Sequence, residues 1–315
     1  MKKNFQIILI LFLSTLFSCA KNSWIHPGSQ APEEINFTQH NLYPEGMTYD
    51  FIHNVFMVSS LTSGTVGGVS FDGSYNPFIQ DPDLPSSCGI RIDRARQRIV
   101  VCNVGNGGVA TYDINTGKRI FLTDLSALSP GEPVLVNDAA FDPQGNIYAT
   151  NSFSPVIYKI DINGKGSVFF RNSAFDVPPG NFGLNGIQYN DGGFLLVGHT
   201  TQNKLLKLPL QNPSNYSEVQ LNAALNMPDG LLLSKNGKQI VVVSGDVVLS
   251  FISNDQWKSG ILSTSFTTGP DMTTSLTSDG KRVFVMYSPL YDYMGGLDHD
   301  NYKIKEVPLT KPDSF

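Results

Sequence analysis

The chain has 315 residues, 16% of them charged, with a net charge of -5, 29 glycines and 19 prolines. An acidic balance with no Lys/Arg cluster excludes nucleic acid as a partner, because it offers phosphate no basic footprint. Few charges and many turn formers suit short strands better than long surface helices, and closed all-β folds often use this length as one domain.

Lys2 and Lys3 precede an apolar run over residues 5–17, too short to span a bilayer comfortably and built like a signal peptide. The run ends in Leu16-Phe17-Ser18-Cys19, which resembles the bacterial lipobox, whose cysteine is lipidated and becomes the mature N-terminus. An ordinary signal peptide with an incidental cysteine is the competing reading. Residues 1–19 are expected to be a lipoprotein-type signal ending at Cys19, and residues 20–34, with Pro27, Gly28 and Pro32, a tether. The expected location is a bacterial membrane, in the periplasm or at the surface, with the lipid as the only membrane contact. Cys88 and Cys102 fall on consecutive predicted strands. They could form a disulfide or stay as buried thiols, and neither sits in a zinc spacing pattern.

Past the tether the chain repeats. Anchors at Glu45, Cys88, Asn137, Asn185, Asp229 and Asp271 are 42 to 49 residues apart, a period that four-stranded propeller blades produce. In the second repeat strands are predicted over 89–93, 98–103, 109–113 and 119–122. The third reads most clearly, with strands over 139–142, 146–150, 156–162 and 167–171 and turns at Pro143-Gln144-Gly145 and Asn163-Gly164. The fifth has 230–233, 239–244, 247–252 and 261–266. Alternating apolar residues fit strands of packed sheets. The sixth repeat supplies only 273–276, 282–287 and 302–309, so residues 35–40 are expected to add its outer strand and close the ring, removing an open sheet edge. The fold class is all-β: residues 35–315 form a six-bladed β-propeller of four-stranded blades. No anchor is left for a seventh.

Four anchors carry oxygen: Glu45 in PEGMTYD, Asn137 in VNDAAFDPQGN, Asn185 in LNGIQYNDGG and Asp229 in PDGLLLSKNGK. Three of them stand eight residues ahead of a turn glycine, Gly145, Gly193 and Gly237. The first strand of each blade lines a propeller's channel, so residues opening those strands converge at one mouth. Two carboxylates balance a divalent charge, and amide oxygens add ligands without repulsion. Such a set points to a divalent metal, calcium first, with magnesium or zinc as alternatives. The competing reading makes Asn185-Gly186 and Asp229-Gly230 plain turn dipeptides. Against it, separate turns follow on schedule at Asp191-Gly192 and Asn236-Gly237. Asp271, one residue off register, is a candidate contributor from the sixth blade, either to the ion itself or from behind its ligands.

These motifs resemble the senescence marker protein/gluconolactonase family of regucalcin-like six-bladed propellers, along nearly the whole mature chain. PEGMTYD resembles its first-blade Glu-Gly motif, VNDAAFDPQGNIYATN its Asn-Asp blade, LNGIQY its Asn-Gly blade and MPDGLLLSKNGKQIVVV its Pro-Asp-Gly blade. The resemblance implies Glu45, Asn185 and Asp229 as metal ligands, Asn137 as a substrate or metal contact, and Asp229 as general base. Sugar-lactonase members often carry an arginine two residues before the Asn of the Asn-Asp blade. Leu135 stands there, and leucine cannot replace a guanidinium clamp on sugar oxygens.

The expected function is a metal-dependent hydrolase of a lactone or related ester, acting on a small-molecule substrate. The alternative is a non-catalytic, surface-anchored binding propeller with a structural calcium ion; a strictosidine-synthase-like propeller is a third reading, disfavoured by the Glu45 and Asp229 pair. His199 in GHTTQNK, and Tyr291 and His299 in the loop over 288–301, are candidate substrate contacts, with Gly295-Gly296 as a hinge. The oligomeric state is open.

Overall fold

Short apolar segments between glycine-rich turns make small sheets, and six of them packed face to face around an axis cover one another on both sides, so the second strand of every blade is buried throughout. The computed structural model describes residues 31–310 and 314–315; the signal segment, Cys19 and most of the tether lie outside the described residues. Six sheets form the blades, and their inner strands are Met47–Asp50, Ser87–Asp93, Val136–Phe141, Leu184–Asn190, Pro228–Leu233 and Thr273–Ser278. Each blade is an antiparallel meander outward from its inner strand. The fourth blade's outer strand is only Ser217–Glu218, and the fifth sheet gains a two-residue parallel strand, Gln220–Leu221, at its outer edge.

The ring closes as the sequence predicts. The N-terminal strand Glu34–Thr38 pairs antiparallel with Asn301–Val307 and completes the sixth blade. Its Ile35 and Phe37 point inward while the alternate residues are exposed. The fold starts earlier than residue 35: Ala31, expected within the tether, is buried in the same cluster, and its carbonyl accepts from Arg282 Nη2 at 2.6 Å.

Each blade interface holds one apolar cluster. Phe37, Met47, Phe56, Phe284 and Ile304 fill the seam between the sixth and first blades. Val241, Leu276, Val285 and Phe315 fill that between the fifth and sixth. Among the described residues no helix is long and apolar enough to cross a membrane.

A shared irregularity positions the site. In blades two to six the pairing of the inner strand skips two residues just after it begins: between Ser87 and Ile90, Val136 and Ala139, Leu184 and Ile187, Pro228 and Leu231, and Thr273 and Leu276. The residues inside these bulges are Cys88-Gly89, Asn137-Asp138, Asn185-Gly186, Asp229-Gly230 and Thr274-Ser275. A bulge frees side chains from the ladder and re-aims them, here at one end of the axis. Glu45-Gly46 holds the same place ahead of the first inner strand, with Ser59 N donating to Gly46 O at 3.0 Å.

Candidate functional site

The glycines of these pairs are there for closeness, not for a turn. A Cβ on Gly46 would lie 2.1 Å from Cys88 O, on Gly89 2.5 Å from Asn137 O, on Gly186 2.3 Å from Asp229 O and on Gly230 2.4 Å from Thr274 O. Each blade abuts the opening residue of a neighbouring blade, and only a missing side chain lets the backbones approach so far. Gly145, Gly193 and Gly237 instead take φ of +88°, +81° and +70°, as turn glycines do. The turn-dipeptide reading of Asn185-Gly186 and Asp229-Gly230 therefore fails.

The same contacts correct the sixth position. Thr274, not Asp271, abuts Gly230. Asp271 is largely exposed and sits 3.7 Å from Lys303 Nζ. The bulge lies three residues beyond the acid, and a threonine gives an acid-or-amide pattern nothing to detect.

Inside the ring is a well of about 10 Å³ lined by Glu45, Asn137, Asn185 and Asp229 together with Arg91, Asp138, Thr274 and Ser275, room for one water or bare ion. Glu45, Asn137 and Asn185 are buried, while Asp229 keeps part of its surface open. Burial, the charge of Asp138 adding to it, pushes the Glu45 carboxyl up to about 7 against the opposing Cys88 hydrogen bond and Arg91 charge. Asp229 is raised well above the usual carboxylate range, first by burial and then by Glu45 and Asp138, against a hydrogen bond from Asn185. Asp138 is raised by burial, with the Arg91 guanidinium as the largest opposing influence. Cys88 and Cys102 are free, buried thiols.

Asp138 and Arg91 also line the well, and the sequence reading missed both. Arg91 Nη2 donates to Asp138 Oδ2 at 2.5 Å and reaches Leu231 O at 3.4 Å. Asp138 also accepts from the backbone N–H of Ala139 at 2.8 Å and of Ile187 at 3.3 Å. The charge inside an inner strand, in GIRID, was the available signal for Arg91; the acid after Asn137 was the signal for Asp138.

Three lining carboxylates face one lining guanidinium; the raised Glu45, Asp138 and Asp229 favour their protonated forms, and a divalent cation in the well would displace those protons and match the two charges left over. Asn185 Oδ1 is buried without a hydrogen-bond partner while its Nδ2 donates to Thr200 Oγ1 at 3.0 Å. Among the described residues no three His, Cys, Asp or Glu side chains group as a metal site by themselves. An ion would therefore draw on carboxylates and amides together, and that mixed oxygen set fits calcium.

His199, Tyr291 and His299 do not line the well. His199 is fully buried, with Nε2 3.2 Å from Phe175 O and Nδ1 accepting from Gln202 N at 3.2 Å. His299 is held within its own loop, Nδ1 3.0 Å from Asp292 Oδ2 and Nε2 2.7 Å from Asn301 O. Tyr291 is 67% exposed on a short helix, Leu290–Gly295, where the sequence suggested a loop; Gly296, φ +67°, caps that helix. A wider cavity of about 460 Å³ opens beside Pro133 and Phe153, lined also by Arg171 and Val177.

These features define a six-bladed propeller with an acidic, amide-lined axial well. The SMP-30/gluconolactonase/LRE-like region matches residues 43–274, and the chain belongs to that family. Among solved structures, the major allergen Mala s 1 of Malassezia sympodialis aligns with a TM-score of 0.73 at 17% identity, covering 90% of this chain and 98% of that one. A gluconolactonase from Xanthomonas campestris aligns at 0.63 and 16%, covering 86% and 89%. Virginiamycin B lyase from Staphylococcus aureus aligns at 0.56 and 10%, covering 87% and 100%. At such identities the likeness speaks for the fold alone. Comparison with curated protein sequences gives no match.

Proposed function

We propose that the protein is a metal-dependent hydrolase of a lactone or related ester. The observation that carries this reading is the set of three carboxylates against one guanidinium in the well, with the orphaned Asn185 oxygen beside it. Glu45, Asn137, Asn185 and Asp229 would hold a divalent cation, which when bound supplies Lewis acidity toward the substrate carbonyl. Family membership and the structural likeness to a gluconolactonase support lactone chemistry.

The chain's own residues account for the rest. Asp229, the partly open carboxylate, takes a proton from the attacking water as its oxygen bonds to the carbonyl carbon. That proton then passes to the alkoxide as the ring C–O bond breaks, giving a hydroxy acid. Arg91 opposes the effect of burial on Asp138 and holds its carboxyl in place beside the ligand. Leu135 offers no guanidinium at its position, which favours an apolar lactone or aryl ester over a polyhydroxylated sugar lactone.

The test is hydrolysis of a lactone and aryl-ester panel by the purified protein lacking its signal segment, with calcium, magnesium, zinc or chelator. We expect ion-dependent turnover that is strongest on apolar substrates and lost in Asp229→Asn. A folded protein that turns over none of the panel with any ion sinks the hydrolase reading.

A further inference from the structure

The sixth blade brings an unassigned pair to the ring. Thr274 and Ser275 occupy the bulge equivalent to Asp229-Gly230 and line the same well. Both are buried, at 0% and 6% exposure, and neither Thr274 Oγ1 nor Ser275 Oγ has a hydrogen-bond partner. Thr273 Oγ1 and Ser288 Oγ, on the same blade, are likewise buried and unpartnered.

A buried hydroxyl without a partner is destabilising, and folded proteins satisfy nearly all of them. Four on one blade, two of them on the wall of a well with an excess of carboxylate, call for an occupant. A space of about 10 Å³ admits a single small species, and Thr274 and Ser275 are among the residues that line it. Close packing does not explain the pair: Gly46, Gly89, Gly186 and Gly230 are bare at the equivalent place, and only Asp138 of the third blade and Ser275 of the sixth keep side chains there, both lining the well.

We propose that Thr274 and Ser275 are neutral oxygen ligands of the cation site, contributed by the sixth blade. This deepens the metal-dependent reading above and rests on it. Four ligating side chains would satisfy zinc, which closes at four, whereas calcium takes six to eight oxygens. Two hydroxyls raise the side-chain set to six without adding charge. The sixth blade is thus a selectivity element: it favours a large, oxygen-seeking dication over a small tetrahedral one.

The experiment is titration calorimetry of the chelator-stripped protein with calcium and separately with zinc, on the parent and on Thr274→Val, Ser275→Ala and the double variant. Thr274→Ser is the rescue control. We expect the double variant to lose at least about 10-fold in calcium affinity, about 1.4 kcal/mol, with zinc affinity within about 2-fold. Thr274→Ser should bind calcium like the parent. Thermal melting in chelator should be unchanged or raised in the valine variant, since an unpaired buried hydroxyl is gone. If the double variant fails to fold, the two single variants are read in its place. Equal calcium affinity in variant and parent overturns the sixth-blade assignment while leaving the cation site intact. A parent that binds neither ion overturns the underlying reading as well, so the two failures are separable.

Discussion

At the scale of single residues, the buried ion pair beneath the well makes a sharp prediction. Arg91→Met leaves Asp138 charged, buried and without its guanidinium, and should cost about 3–5 kcal/mol in urea unfolding. Adding Asp138→Asn should recover most of that loss, because the stranded charge disappears. A double variant as unstable as Arg91→Met alone would show that Arg91 acts by packing. A second prediction concerns His53, whose Nδ1 lies 2.6 Å from the fully buried carboxyl of Asp50. That hydrogen bond raises the imidazole above its ordinary 6.5, against the opposing effect of burial. The folded state therefore holds the proton more tightly than the unfolded one. The stabilisation is complete below 6.5 and is lost as pH rises through the elevated folded value. His53→Gln should flatten the pH dependence of the melting temperature in that window, read by thermal scans across it. Residue chemistry was also what the sequence revealed best. Asn137, Asn185 and Asp229 announce themselves because an acid or amide recurs at one offset from a turn glycine, and Glu45 because it opens the first repeat in the same way. Thr274 and Arg91 do not, since a hydroxyl is common anywhere and an arginine inside a strand reads as surface until its facing is known.

Among the elements, the bulged inner strand sets how each opening residue faces the axis. Its two kinds of glycine should respond differently to the same substitution. Gly193→Ala meets open space at φ +81° and should cost about 1–2 kcal/mol from backbone strain alone. Gly230→Ala would press a methyl against Thr274 O, adding overpacking of about 1–3 kcal/mol and pushing the sixth blade off the well. Only the second should weaken calcium binding, as measured by calorimetry. Equal effects of the two on binding would mean that blade spacing does not govern the site. The bulges themselves were illegible in the sequence. Strand periodicity located 89–93 and 230–233 within a few residues of the observed elements, but a two-residue skip in pairing leaves no mark on an alternating pattern. That is why Asp271 was taken as an anchor and why the glycines resembled turns.

For the whole molecule, repetition made the architecture readable before any contact was known. A period set by four strands and their turns leaves few alternatives, and the missing sixth-blade strand could only come from the other end of the chain. Closure makes the ring's stability depend on that join. Phe37 is 3% exposed, and Phe37→Ala should cost about 3–5 kcal/mol, detectable as a lower urea midpoint. Loss of the closing strand should expose the edge Asn301–Val307 and bring aggregation. A Phe37→Ala protein with an unshifted midpoint would show that the blades hold together without the join. The direction of that strand has a consequence for access. Thr38 pairs with Asn301 and leads across the mouth toward Glu45, whereas Glu34 pairs with Lys305 at the far end. The carboxyl end of the chain docks on that far side too, with Ser314 O accepting from Lys235 N at 2.8 Å. The described chain begins at Ala31 on that same underside, so a lipid on Cys19 would reach the fold from there. The propeller would then ride the bilayer with its well turned to the open solution, meeting dissolved molecules rather than those partitioned into the membrane.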